Sequence, residues 1–239
     1  MTTIARSLAD RLSRRVLPRA VVALARIDTP ARMAARVRRR LGRSARVELY
    51  FAFDDPCSAV AVVDLAERLD GADMRLLLRP VLRRGIAGDP AVELKRAYAV
   101  QDARRLARRS GRVLGRDAPI PPADVAFLAK WAAAADGDGP ALTAFCVAAL
   151  SRLWLAPEAP IDREDYTELW REAFGAEPPG EEVAADGGSA PVRRNERRMA
   201  RRGPYDTPAA WFHGEWSFAH DRPAQIAARL DDLGWGRAR

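Results

Sequence analysis

The first apolar residues of the chain recur every four positions. Ile4, Leu8, Leu12 and Val16 fall on one helical face, with arginines between them, which is the spacing of an amphipathic helix. Pro18 and Asp28-Thr29-Pro30 punctuate the segment, and Ala31 to Leu41 predicts a second basic helix. The period then changes to two. Val47, Leu49, Phe51 and Phe53 alternate with Glu48, Tyr50 and Ala52, which predicts a strand from Arg46 to Phe53. Asp54-Asp55-Pro56-Cys57-Ser58 follows, then an apolar-rich helix from Ala59 to Leu69 and a second strand from Met74 to Leu82. Residues 94 to about 176 read as helices, among them Phe127 to Ala134, Leu142 to Leu155 and Tyr166 to Phe174. Asp136-Gly137-Asp138-Gly139-Pro140 and Ala156-Pro157-Glu158-Ala159-Pro160 separate them. Residues 175–192, rich in Gly, Pro and Glu, predict a mobile loop. Asn195 to Arg202 predicts one more helix, leading into a proline loop.

The 239 residues suit one large domain, or one domain with an insertion. With 48% hydrophobic residues a sizeable core forms, and global disorder is excluded. Cys57 and Cys146 are the only cysteines and lie far apart, so no disulfide framework exists and a reducing compartment fits. The N-terminus shows no unbroken apolar core with a small-residue cleavage site, and no window approaches the ~18 apolar residues of a membrane span. A cytoplasmic protein is the expectation. The net charge of +8 is uneven: residues 1–46 hold 13 Arg and 2 Asp, a net +11, and the remainder is −3. A basic helical extension over 1–45 therefore precedes a weakly acidic body. It suits an anionic membrane surface or nucleic acid, or else packs on the domain or on a second copy. No aromatic interleaving supports base stacking.

The most specific stretch is C-terminal: Gly203-Pro204-Tyr205-Asp206-Thr207-Pro208, then His213-Gly214-Glu215, then Ala219-His220-Asp221-Arg222. It predicts a loop ending at a proline, a strand, a tight turn, a second strand and a helix. A proline that opens a strand has no N–H for the ladder, and the position suits a cis Thr207-Pro208 bond. The run resembles the C-terminal half of the thioredoxin-fold superfamily that joins DsbA, the kappa-class glutathione S-transferases and the 2-hydroxychromene-2-carboxylate isomerases. There a Gly-x-Phe-Gly-x-Pro loop leads into strand, Asp-Gly-Glu turn, strand and Gly-x-Asp-Arg. Tyr205, Asp206 and Ala219 depart from that pattern. The β-α-β unit before Leu82 is similar to the family's N-terminal half. Lys95-x-x-Tyr98-x-x-x-Asp102 is similar to the run opening its inserted helices. The resemblance implies an α/β thioredoxin fold with an inserted α-helical domain. Its halves would be 46–93 and 196–239, around an insertion over 94–195.

The resemblance also implies chemistry. In the family the working residue sits at the N-terminus of the first helix, where backbone N–H groups and the helix dipole stabilise an anion. It is a Cys-x-x-Cys in DsbA-type oxidants and a glutathione-binding serine in the transferases and isomerases. Here the position falls on Asp55, followed by Pro56, Cys57 and Ser58. Asp55 reads either as a plain helix cap before Pro56 or as a general base. Cys57 reads as a small buried residue or as a thiol activated by the helix end. An ionised Asp55 about 4 Å from a thiolate would cost ~4 kcal/mol at an effective dielectric of ~20. Thiolate chemistry is therefore disfavoured, and with no cysteine at position 55 or 58 dithiol exchange within one motif is excluded. The resemblance further implies ligand contacts at Pro56, Lys95, Thr207, Pro208, Asp221 and Arg222, with the last pair holding a γ-glutamyl end. Glutathione, or a similar small thiol or acid, is the implied ligand, and a homodimer is the implied assembly. The expected function is a glutathione-dependent isomerase or transferase; the alternative is a scaffold that kept the fold and lost the catalytic residue. His213 and His220 make no metal site with the cysteines, and no phosphate loop or nucleophile elbow is present.

Overall fold

Val47, Leu49 and Phe51 of β1 (Ala45–Phe51) point into the main core, while Glu48 and Tyr50 point to the opposite face. In this computed structural model, which describes residues 29–72, 74–135, 139–180 and 189–235, both faces of β1 are covered and even Glu48 is buried. The predicted helix over Ile4 to Val16 lies outside the described residues.

The elements before and after β1 follow the predicted order. α1 (Thr29–Arg40) precedes it, and α2 (Pro56–Leu69) and β2 (Met74–Pro80) follow. β2 lies parallel to β1, from Ala45 beside Met74 to Phe51 beside Pro80. The helical region is α3 (Val92–Arg109), α4 (Pro122–Ala134), α5 (Pro140–Leu150) and α6 (Arg163–Phe174). The last turn of α5 widens into a π-helical segment, Ser151–Leu155, so the predicted helix ending at Leu155 is continuous. α7 (Ser189–Arg202), β3 (Ala209–Phe212), β4 (Glu215–Phe218) and α8 (Pro223–Asp232) complete the chain. β3 pairs antiparallel with β1 and β4 antiparallel with β3, giving the order β2-β1-β3-β4. His213-Gly214 closes the hairpin, with φ of 49° and 87°. The His213 ring is half-buried and packs edge-on against Trp235.

Several boundaries differ from the sequence reading, two of them for a local reason. The loop expected over 175–192 is shorter, because α7 already begins at Ser189. Pro191 stands in its first turn, where a missing N–H costs nothing. β1 ends at Phe51, since Ala52 to Asp55 form a turn closed by the Asp55 N–H on the Ala52 carbonyl, 3.2 Å.

One continuous core joins the sheet to the helical region. Phe51, Phe53, Val62 and Leu65 meet Phe145, Leu150, Trp154 and Trp170 in it. The buried Trp154 indole donates to the Phe53 carbonyl, 2.8 Å. A smaller cluster of Tyr50, Ala52, Val81 and Met199 lies under α7 on the other face. There Glu48 takes two hydrogen bonds from Arg198 (3.0 and 2.6 Å), one from Arg202 (3.1 Å) and one from the Tyr50 hydroxyl (2.7 Å). A buried carboxylate is tolerated when its lone pairs are filled this way. Among the described residues, no helix is long and apolar enough to cross a membrane.

Candidate functional site

The site forms where the N-terminus of α2 meets the loop before β3. Asp55 caps α2 in extended conformation and accepts from the Cys57 N–H at 3.1 Å, with Pro56 at the first helical position. Its other carboxylate oxygen accepts from the Ser58 hydroxyl at 2.6 Å and from the Thr207 hydroxyl at 3.1 Å. Ser58 in turn accepts from the Ala52 N–H at 3.2 Å. The Thr207-Pro208 peptide is cis. Residues far apart in sequence thus share one carboxyl group, and Asp55 is only 2% exposed.

Arg84 lies beside this group. It donates to Asp54 at 2.9 Å and stands 3.9 Å from Asp206. Three contacts place its loop. Glu196 of α7 accepts from the N–H groups of Leu82 and Arg83 at 3.2 and 2.8 Å, and Asn195 donates to the Pro80 carbonyl at 3.0 Å. The Gly85 N–H reaches the Tyr205 carbonyl at 2.8 Å, tying this loop to the proline loop.

Burial pushes the Asp55 carboxyl above the usual carboxylate range, and Asp54 and Asp206 push the same way, while Arg84 and the Ser58 hydroxyl oppose them. For Arg84 burial alone would lower the pKa, but Asp55, Asp54 and Asp206 outweigh it and hold the guanidinium charged. The centre therefore sets three carboxyl groups against one guanidinium. It resists a further negative charge and favours proton uptake at Asp55.

Cys57 faces away from this group. Its thiol points to the Ala99 carbonyl of α3 at 3.7 Å, and burial, reinforced by Asp55, raises its pKa well above that of an ordinary thiol. A thiolate in that place would be desolvated and opposed by the Asp55 charge, which counts against the activated-thiol reading of Cys57. Cys146 is fully buried. Folded protein is accordingly expected to react with maleimide far more slowly than unfolded protein, with both thiols labelled only after denaturation. Labelling of Cys57 in native protein at the rate of a free thiol would contradict this placement.

Among the described residues, Lys95, Asp221 and Arg222 make no hydrogen bond to Asp55. Lys95 is exposed on α3 and pairs with Asp89. Arg222 occupies the cap position of α8 without a side-chain cap bond. Asp221 does not cap that helix either; it stands 3.5 Å from Arg222 and 3.4 Å from His220. The segment is nevertheless anchored to the proline loop, because the Ala219 N–H donates to the Pro208 carbonyl at 2.8 Å. The Thr207 N–H is taken by the Asp206 carboxylate at 2.8 Å. Sequence reasoning missed Arg84, Asp54 and Asp206 as members of the centre. Asp206 was signalled by its departure from the family's glycine, whereas Arg84 carried no signal in a chain that uses arginine nearly everywhere. Among the described residues no group of three or more His, Cys, Asp or Glu is arranged to hold a metal ion.

Neither the protein-family models nor the curated proteins contain a match to this sequence. Solved structures do match. A 2-hydroxychromene-2-carboxylate isomerase superposes with a TM-score of 0.61 at 17% identity, covering 79% of this chain and 96% of that one. A probable DsbA oxidoreductase from Streptomyces coelicolor gives 0.60 at 19% identity, covering 82% and 92%. The cytosolic disulfide reductase DsbM from Pseudomonas aeruginosa gives 0.50 at 16% identity, covering 78% and 97%. The chain has the DsbA-like thioredoxin fold with helices inserted between its halves.

Proposed function

We propose that this chain, on its DsbA-like fold, is an isomerase- or transferase-type protein acting on a small molecule by proton transfer. Glutathione, or a similar small thiol or acid, is the ligand proposed to lie beside Thr207. The observation that carries the reading is the Asp55 carboxyl: buried, raised in pKa, and hydrogen-bonded to the half-buried Thr207 hydroxyl. A carboxyl held nearer to neutrality than an ordinary aspartate is suited to both giving and taking a proton. In this reading a ligand proton passes to the Thr207 oxygen as the Thr207 proton passes to Asp55, and the reverse transfer returns it at another ligand atom. Ser58 holds the carboxyl in place. The surplus of carboxyl groups disfavours a bound thiolate, so a thiol ligand would enter protonated and release its proton by this route. The isomerase among the structural neighbours supports the reaction class by fold alone.

The scaffold reading rests on the same carboxyl seen as a saturated helix cap. Calorimetric titration with glutathione at neutral pH separates the two. Saturable heat with Kd of about 1 mM or tighter, weakened in Thr207→Val, supports a working cleft. Weakening in Arg222→Ala would add α8 as the anchor of the γ-glutamyl end. No heat at millimolar ligand with folded protein would sink glutathione as the ligand and favour the scaffold.

A further inference from the structure

α1 is docked on the domain by one face only. Ala35 is buried, Arg39 donates to the Gly234 carbonyl, and the Arg38 guanidinium stacks over Trp235 at 4.7 Å. The opposite face carries Met33, Val37 and Leu41, exposed to 59, 55 and 63%. Leu41 continues the helical turn, since its N–H bonds the Val37 carbonyl at 3.0 Å. At 3.6 residues per turn these three form a stripe spanning roughly 80°, centred about 160° away from Ala35. Exposed Arg36 and Arg40 border the stripe along one edge, and exposed Arg43 follows it. α1 contains no acidic residue.

We infer that this face binds the surface of an anionic lipid bilayer, with α1 lying in the headgroup plane and the domain held on the water side. Each half of the pattern serves that partner: apolar side chains enter the acyl boundary while arginines meet anionic headgroups. Nucleic acid would use the arginines and leave the apolar stripe without a role, and α1 offers no aromatic ring for base stacking. A second copy would set one arginine-bordered face against another, and like charges oppose that. The same objection applies to the segment that precedes α1. Residues 1–46 together carry +11.

The test is co-sedimentation of the full chain with vesicles. Binding to phosphatidylcholine–phosphatidylserine vesicles, weak on pure phosphatidylcholine and reduced by salt, is expected. Met33→Ala with Val37→Ala and Leu41→Ala keeps every charge and alters only exposed side chains, so the fold survives. That variant is expected to bind at least tenfold more weakly, with an unchanged circular dichroism spectrum. Unchanged vesicle binding by the variant would overturn the role of this face. Preference for duplex DNA over vesicles, or a wild-type dimer that the variant dissolves, would overturn it in favour of nucleic acid or a second copy.

Discussion

Replacing Arg84 with methionine is expected to cost about 3–5 kcal/mol of folding stability at neutral pH. Methionine keeps much of the aliphatic volume and removes the charge. Asp54, whose side chain is 7% exposed, then loses its ion pair, and Asp55 and Asp206 lose the cation that offsets them. The penalty comes from leaving buried charge uncompensated and greatly exceeds the value of an exposed pair. It is expected to shrink as pH falls, because a protonated carboxyl no longer needs the guanidinium. Urea unfolding of both proteins across acid and neutral pH measures this. A loss below about 1 kcal/mol at neutral pH would show that water already screens the centre.

Asp55→Asn is expected to move stability and activity in opposite directions. The amide keeps the acceptor that Cys57 N–H uses, and its NH2 group can donate to the Ser58 and Thr207 hydroxyls. The folded-state pKa of Asp55 is raised, so the group's contribution to stability is complete below the unfolded carboxylate pKa and is lost as pH rises through the folded one. An asparagine has no such loss. The variant should match wild type in acid and exceed it by about 0.5–2 kcal/mol at neutral pH, the size of gain common when a strained functional group is relaxed. Turnover of the ligand should fall about 100- to 10 000-fold, the usual contribution of a general acid–base group. If Asp55→Asn instead unfolds more readily at neutral pH, the carboxylate is a structural cap and the catalytic reading fails.

The sequence made the scaffold of this centre legible and hid its charge balance. The change from a four-residue to a two-residue period located β1. Asp55-Pro56 before an apolar run located the start of α2, because capping and proline at the first helical position are local effects. The spacing from Tyr205 to Arg222 located the hairpin and α8. Arg84 was invisible for a different reason. Its role depends on Glu196 and Asn195 bending the segment after β2 and on Gly85 reaching Tyr205, and no local spacing reports contacts over more than a hundred residues. The inward turn of Cys57 was likewise undecided by sequence, since a residue at a helix start can face the cleft or the neighbouring helix. The packing of α3 settles it. The start of α7 was misplaced because Pro191 reads as a breaker in sequence and is an ordinary first-turn residue in the helix.

The hydrogen bond from Trp154 to Phe53 bears on how this protein could be taken apart. The carbonyl it holds belongs to the residue just before Asp54 and Asp55, yet its donor comes from 101 positions later. The helical insertion is thus a splint for the loop that bears the centre. A contiguous fragment spanning 46–93 would carry Asp54, Asp55, Ser58 and Arg84 on an unbraced loop, without Thr207 and Asp206. The smallest transplantable module therefore comprises that fragment, the wide turn at the end of α5, and the proline hairpin with α7. Chimeras exchanged at the ends of the insertion would keep the fold and misplace the acid.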